Sequence, residues 1–351
     1  MKLNFNHLPV GNLPYEDINL CKQMMLRVFE DSPFLPELPL INPNDDILHK
    51  TVENFPYLKF KDNKLIIAEP TNEGMNQLVN LMEKIYNSSA PYDIDMFASQ
   101  SPYFELYVAM LKRIHPTTTF INLIGPFTLA NLIFNKNATI ILTDKVYRKF
   151  VTYVVTIKAL WFLKVIKHAS PKTQPIIIFD ERMLSRFGTL KRTNENINKD
   201  TVNVMLTKAF SKLRKEGALI CVQSFEKCNW QLVFDTKCVD MISFDAYNNP
   251  TNLNIIAQDV NSFLAKGGCI NWAIVPVMNE TVIRSLNVNI IYDRFMSTLE
   301  ELSKHGVSMD ALLNQSTISI QGDLSKYSIL FAEKSILLAN SLADKFAPNK
   351  K

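Results

Sequence analysis

Glycine is scarce in this chain, and its scarcity argues against one common class of proteins. The 351 residues include 9 glycines, whereas the usual frequency of about 7% would give about 25. The sequence contains neither the G-x-G-x-x-G pattern of dinucleotide-binding folds nor the G-x-x-x-x-G-K-[ST] pattern of the P-loop. We therefore do not expect a classical glycine-rich nucleotide-binding site.

Cysteines are few and show neither disulfide nor zinc-ribbon spacing. The chain has an odd number of them and no C-x-x-C pair, so neither a disulfide framework nor a zinc ribbon is indicated. A reducing, cytoplasmic setting is the expected one. The five cysteines are Cys21, Cys221, Cys228, Cys238 and Cys269.

Long apolar runs and a strong net charge are also missing. Residues 1–9 lack the apolar core of a signal peptide. No run reaches the roughly 18 uninterrupted apolar residues that a membrane span needs. The 38 basic and 34 acidic residues give a formal net charge of +4, which is too small to predict nucleic acid or an anionic membrane as a partner.

The composition that remains is that of a globular protein with a large core, since 47% of the residues are hydrophobic and 21% are charged. Strand-like and helix-like segments alternate along most of the chain. Strands that are each followed by a helix indicate a parallel sheet. Eight such units predict an α/β fold with one closed (β/α)8 barrel over residues 1–351. The predicted strands are 8–10, 34–40, 118–124, 175–179, 218–222, 239–244, 269–275 and 317–320.

An irregular part interrupts this alternation near the start. Residues 30–115 are rich in proline at first and then carry a predicted hairpin, 57–60 paired with 64–68. We interpret this part as insertions that follow the first strands of a single domain.

The barrel prediction also locates the chemistry, because active sites of this fold lie at the carboxyl ends of the strands. Asp180 and Glu181 end one strand. We expect one to face the mouth and the other to bond to backbone or to Arg182. Carboxylates there can hold an amine or act as acid or base, and a helix cap or a structural salt bridge is the alternative. Asp245 ends another strand, where it could bind a ligand or cap the following turn.

Other chemistry-bearing side chains are less informative. Cys221, Cys228 and Cys269 could form a three-thiolate metal site, or they are small buried hydrophobic residues. The five histidines do not cluster, and no Ser-His-Asp or Cys-His arrangement can be built at the mouth. Among the aromatic residues near strand ends, Tyr247 is the best candidate for ligand contact, because its hydroxyl needs a partner at the rim.

Six short blocks occur in an order that resembles a known superfamily. They are G-N-L-P at 11–14, P-F-L-P-E-L-P at 33–39, I-G-P-F-T-L-A at 124–130, F-D-E at 179–181 with Leu184, S-F-D-A-Y at 243–247, and the segment 267–276. Over nearly its whole length the chain resembles the catalytic barrels of cobalamin-independent methionine synthase and uroporphyrinogen decarboxylase. It is most similar to the single-barrel, methionine-synthase-like members.

The resemblance implies methyl transfer to a thiol that is held by zinc. In this superfamily the usual zinc ligands are a His-x-Cys pair at one strand end and a Cys after the last strand. Here Gln223 and Phe225 stand at the positions of the pair, and the last position falls near Gly322. An amide, a phenyl ring and a glycine cannot replace an imidazole and two thiolates. We therefore predict that the zinc site is lost, and we assign no metal ligand and no cofactor.

These considerations predict a methyltransferase that acts on a thiol or a related small acceptor. The ligand would be a small molecule such as an amino acid or a thiol. The methyl donor would be a corrinoid protein rather than folate, because 351 residues leave no room for the second barrel of the folate-using enzyme. The candidate catalytic residues are Asp180, Glu181 and Asp245. The candidate binding residues are Gly11, Asn12, Gly125, Phe127, Gln223, Tyr247 and Trp272.

Two alternatives remain open. One is a non-catalytic ligand-binding or regulatory barrel that keeps the pocket. The other is a metal-independent decarboxylase, which needs several arginines at the mouth to hold the acidic arms of its substrate.

Overall fold

The computed structural model describes residues 7–9, 11–62, 64–68, 71–88, 94–187, 197–277, 283 and 285–347. Within these ranges the chain forms a mixed α/β structure. Its strands are β1 (Leu58–Lys61), β2 (Lys64–Ile67), β3 (Thr118–Ile124), β4 (Ile133–Phe134), β5 (Gln174–Asp180), β6 (Leu219–Ser224), β7 (Met241–Phe244), β8 (Cys269–Val275) and β9 (Ser316–Ile320).

Six of these strands form one curled parallel sheet in the order β3-β5-β6-β7-β8-β9. All residues of β3, β7, β8 and β9 are buried. Strands covered on both faces are expected to be continuous apolar runs, which is why the sequence predicted these six segments. The sheet is a half-barrel flanked by helices.

Helices follow most of the strands. They are α1 (Ile18–Val28), α2 (Ile47–Val52), α3 (Asn72–Asn87), α4 (Phe104–Ile114), α5 (Pro126–Leu132), α6 (Lys145–Ala169), α7 (Lys199–Lys215), α8 (Trp230–Phe234), α9 (Ala257–Ala265), α10 (Val288–Lys304), α11 (Met309–Asn314) and α12 (Ile329–Phe346). No helix in the described ranges combines the length and the apolar character needed to cross a bilayer.

Local sequence explains the helix boundaries. Asp144 begins α6, because its carboxylate accepts the backbone N–H groups of Val146 and Tyr147. α5 starts at Pro126, one residue after the end of β3. Proline is favourable in the first helical position because its missing N–H has no partner there in any helix.

The predicted hairpin is confirmed, since β1 and β2 pair antiparallel. An unexpected strand, β4, pairs parallel with β2 and completes a small second sheet. β1 and β2 lie in the part that we interpreted as insertions, whereas β4 lies outside it, after β3 in the chain.

The two earliest predicted strands form only isolated parallel bridges. His7 pairs with Ile318, Phe34 with Phe120, and Asn12 with Glu37. Val10, in the first of these strands, lies outside the described residues. Prolines punctuate both segments, at positions 9, 33, 36 and 39, and a proline has no N–H to donate to a ladder. The structure therefore shows six full strands where the sequence analysis predicted eight.

Candidate functional site

A cavity of about 290 Å³ lies at the carboxyl ends of the main sheet. Asp180 at the end of β5 and Gln223 in β6 line it, as do Gly11 and Asn12 from the first segment. These four were predicted as site residues from their strand-end positions, and the structure brings them together.

A network of neutral polar side chains supports the floor of the cavity, and Gln223 and Ser319 are the members of this network that line it. The Asn271 amide donates to the Ser243 hydroxyl at 2.8 Å and to the Ser319 hydroxyl at 2.7 Å. Ser243 in turn donates to Gln223 Oε1 at 3.4 Å. The Thr317 hydroxyl donates to Asn271 Oδ1 at 3.0 Å, and Asn271 itself is fully buried. This network fixes the orientation of Gln223, whose side chain borders the cavity.

A buried ion pair forms one wall. Glu37 lines the cavity and binds Lys50 of α2, and both side chains are almost completely buried. Burial raises the pKa of Glu37 above its ordinary range, and the Lys50 ammonium opposes this shift. A methyl group on Gly11 would overlap Glu37 Oε2 and would lie 2.8 Å from Asn122 Nδ2. Glycine is therefore required at position 11 by the close approach of two wall residues.

The Asp180 carboxylate forms an ion pair with the Arg182 guanidinium. The Arg182 Nε–H group donates to Asp180 Oδ1 at 3.1 Å and Oδ2 at 3.0 Å, and the Nη2 group also contacts Oδ2. The hydrogen bond to Asp180 raises the pKa of the Arg182 guanidinium, with further help from Asp180, Glu226 and Asp323 charges. Asp180 therefore borders the cavity and also forms the salt bridge to Arg182 that we considered for this acidic pair.

Glu181 does not line the cavity. It is fully buried, and its two oxygens accept the backbone N–H groups of Phe127 at 3.0 Å and Thr128 at 2.7 Å. Burial is the main cause that raises its pKa from 4.5 to about 7, while the hydrogen bonds lower it and Asp180 raises it. Gly125 lies beneath this carboxyl, because a methyl group there would overlap Glu181. The arrangement joins β5 to the start of α5, and Phe127 contributes a backbone group rather than its ring.

Asp245, Tyr247 and Trp272 also lie outside the cavity wall. Asp245 accepts hydrogen bonds from Asn248 at 2.7 Å and from Gln321 Nε2 at 2.9 Å, so it holds the turn after β7 against the end of β9. Tyr247 packs under the Arg294 guanidinium, 4.1 Å from its ring centroid. Trp272 is fully buried and donates to the Ser316 hydroxyl at 2.8 Å. Their proposed roles in catalysis or binding stay predictions.

The three positions that the resemblance associates with zinc, Gln223, Phe225 and Gly322, all border the cavity. Their side chains offer one neutral amide and no thiolate or imidazole, so this donor set does not fit a zinc ion. Among the described residues, no three His, Cys, Asp or Glu side chains come together in a group that could hold a metal. Burial raises the pKa of the Cys221 and Cys228 thiols, which disfavours the thiolate form that a metal binds.

Sequence reasoning missed several wall and floor residues. Glu37 stood in a quoted motif but was not assigned a role, and Asn122, Asn271 and Ser319 were not singled out. A signal was available for Asn122, Asn271 and Ser319, because each is a polar residue in a strand that the parallel-sheet rule predicts to be buried. A buried polar residue in such a strand needs a partner, and a cavity provides one.

Comparisons with known proteins identify the fold. No family model and no curated protein matches the chain. A solved structure of a methyltransferase from Methanosarcina mazei aligns with a TM-score of 0.50 over 95% of this chain and 94% of that chain, at 10% identity. A Bacteroides thetaiotaomicron structure described as an α-L-fucosidase aligns over 75% of this chain and 91% of that chain, but its TM-score of 0.29 supports no argument; its identity is 12%. The first match shows a likeness in fold that extends over nearly the whole chain.

Proposed function

We propose that this chain is a methyltransferase that binds a small acceptor in the cavity and receives the methyl group from a separate donor. The observation that carries the proposal is the fold likeness to a methyltransferase over 95% of the chain. The cavity at the carboxyl ends of the sheet supports it, because this is where barrel enzymes hold their substrates.

We also propose that the two proline-rich segments complete a (β/α)8 barrel. The bridges His7–Ile318 and Phe34–Phe120 lie at the two outer strands of the six-stranded sheet, and Asn12–Glu37 joins one segment to the other. In this arrangement the ring closes from β9 through the two segments to β3. The methionine-synthase-like superfamily would then be the source of the fold.

The residues at the cavity support a reaction without the zinc site of that superfamily. A thiol acceptor would attack the methyl carbon, forming an S–C bond while the bond to the donor breaks and its electron pair stays with the donor. The thiol proton leaves to solvent. Because the proposed reaction has no zinc ion to hold the acceptor as a thiolate, the rate should rise with pH toward the ordinary thiol pKa of about 8.5.

The test is an assay with free methylcobalamin as donor, chosen because the resemblance implies a corrinoid protein as the natural donor. Cysteine, homocysteine and simple thiols are offered as acceptors from pH 7 to 9, and methyl thioethers are quantified by mass spectrometry. We expect Gln223→Ala to reduce kcat/KM about tenfold, because it removes the polar floor contact. Glu300→Gln, an exposed residue on α10, is the matched control. Absence of product above the enzyme-free rate contradicts the proposal.

A non-catalytic binding barrel is the second candidate, and one observation favours it. All three carboxylates that we predicted to be catalytic are engaged: Asp180 by Arg182, Glu181 by two backbone N–H groups, and Asp245 by Asn248 and Gln321. Ligand binding without product formation in the same assay would support this candidate. A decarboxylase is less well supported, because Arg182 is the one arginine on the described cavity wall and Asp180 already holds it.

A further inference from the structure

The cavity wall has more negative than positive charge. In the described structure four carboxylates line it, and two cations, Arg182 in the wall and Lys50 behind Glu37, accompany them. Each cation is already bound to one carboxylate, Lys50 to Glu37 and Arg182 to Asp180. The four carboxylates belong to Glu37, Asp180, Glu226 and Asp323.

Glu226 and Asp323 have no ion pair within the described part of the chain. Glu226 Oε2 accepts the Ser185 hydroxyl at 2.7 Å. Asp323 Oδ1 accepts the Ser325 backbone N–H at 2.8 Å and the Ser325 hydroxyl at 2.7 Å. These neutral donors add no positive charge, and Arg182, whose guanidinium both carboxylates also influence, is already paired with Asp180. The mouth therefore keeps a surplus of negative charge that attracts a cation.

Two amide side chains of the wall have hydrogen-bonding groups without a partner among the described residues. Asn122 has only 9% of its surface exposed, lines the cavity, and forms no side-chain hydrogen bond with any described residue. The Oδ1 atom of Asn12 is buried and accepts no hydrogen bond. Buried polar groups are nearly always paired in folded proteins. These two amides therefore point to a polar ligand, and Asn12 Oδ1 requires that the ligand supply a donor.

We propose that the cavity binds a small protonated amine that lacks a carboxylate. Its ammonium group, which has donors and no acceptor, matches the acceptor of Asn12 and the surplus charge of Glu226 and Asp323. The carboxylate of an amino acid would find no free cation here, because Asp180 already occupies the Nε and Nη2 groups of Arg182. The sequence predicted an amino acid or a thiol as ligand, and this inference restricts that class to amines without a carboxylate. It rests on the proposed function only in that the probes are thiols.

The experiment compares three small thiols that differ in their polar group: cysteamine, 2-mercaptoethanol and 3-mercaptopropionate. Their affinities for the full chain are measured by isothermal titration calorimetry at pH 7. We expect cysteamine to bind about tenfold more tightly than 2-mercaptoethanol, because it adds charged hydrogen bonds. We expect 3-mercaptopropionate to bind most weakly. Cysteamine binding no tighter than 2-mercaptoethanol, or 3-mercaptopropionate binding as tightly as cysteamine, overturns the proposal.

Variants then test whether Glu226 and Asp323 cause the tighter binding of cysteamine. Glu226→Gln combined with Asp323→Asn should weaken cysteamine binding about tenfold and leave 2-mercaptoethanol binding unchanged. Glu300→Gln, which removes one exposed carboxylate far along α10, should change neither affinity. The comparison of probes on the unaltered chain decides the case if the double variant does not fold. Tight cysteamine binding without methylated product contradicts the proposed methyl transfer alone, whereas preferred methylation of 3-mercaptopropionate contradicts the amine specificity alone.

Discussion

Two adjacent carboxylates, Asp180 and Glu181, illustrate how residues of the same type take different roles. Alternation along an extended chain sends their side chains to opposite sides. Asp180 borders the cavity beside Arg182, while Glu181 is turned away and accepts two backbone N–H groups at the start of α5. A carboxylate without access to the cavity cannot contact a ligand there. The position of Glu181 therefore favours a structural role, even though its pKa of about 7 is typical of a catalytic acid.

The raised pKa of Glu181 has a consequence for stability. Because the folded-state pKa of about 7 lies above the ordinary value of 4.5, the folded chain binds more protons than the unfolded chain between these values. The free energy of unfolding contributed by Glu181 is therefore lost as the pH rises from 4.5 to 7, by about 3 kcal/mol. Glu181→Gln removes the ionisation. The free energy of unfolding of the variant, relative to that of the original chain, should therefore increase by this amount as the pH rises.

Urea denaturation of both proteins at pH 4.5 and pH 8 measures this shift. Glu300→Gln serves as a control that removes an exposed carboxylate and should follow the pH profile of the original chain. Parallel profiles for Glu181→Gln and the original chain would show that Glu181 ionises in the folded protein as readily as in the unfolded one.

At the scale of elements, side-chain contacts hold the short helix α2 against the cavity wall and the end of β3. Asp46 caps its start by accepting the N–H groups of Leu48 and His49. Thr51 Oγ1 accepts the backbone N–H of Ile124 at the end of β3, at 2.9 Å. Lys50 binds Glu37 on the cavity wall. A six-residue helix is unstable alone, so these contacts hold it in place.

Lys50→Met should therefore destabilise the protein strongly. The substitution leaves the Glu37 carboxylate buried without its cation, which costs about 3–5 kcal/mol in the free energy of unfolding. Adding Glu37→Gln should recover most of the loss, because the buried charge is then removed as well. Chemical denaturation of both single variants and the double variant gives the coupling energy. A double variant that is no more stable than Lys50→Met would mean that the pair acts through packing alone.

At the scale of the whole molecule, the two outer strands of the main sheet bind segments that lie far away in the sequence. The Leu8 N–H donates to the Ile318 carbonyl at 2.8 Å, and the Phe120 N–H donates to the Pro33 carbonyl at 3.3 Å. If the two proline-rich segments complete the barrel, these amides are protected only through contacts with distant segments.

Hydrogen exchange tests this closure. We expect the Leu8 amide to exchange as slowly as the Val222 amide inside the sheet, because both open only with the barrel. The Phe60 amide in the exposed hairpin is an internal reference for fast exchange, because the register of β1 and β2 directs its N–H away from β2. A Leu8 amide that exchanges as fast as Phe60 would show that the sheet remains a half-barrel with open edges.

The sequence by itself determined the six central strands and the edge of the sheet where polar residues collect. Continuous apolar runs bounded by Gly125, Asp180 and Asp245 are sufficient for this, since burial on both faces and the end of a strand are local properties. The strand-end rule also located Gly11, Asn12, Asp180 and Gln223. The isolated bridges at 7–12 and 34–37 were not predictable from pattern, because prolines there remove ladder donors.

Only the tertiary structure decided which polar groups are paired. Nothing local selects Lys50 as the partner of Glu37, assigns Glu181 to two backbone N–H groups, or leaves the Asn122 amide without a hydrogen bond to a described residue. The energy of a buried charge or amide depends on distances of a few ångströms and on exclusion of water. Those distances are set by how the strands curl and how the helices pack between them, so the charge balance of the cavity becomes visible only in the folded chain.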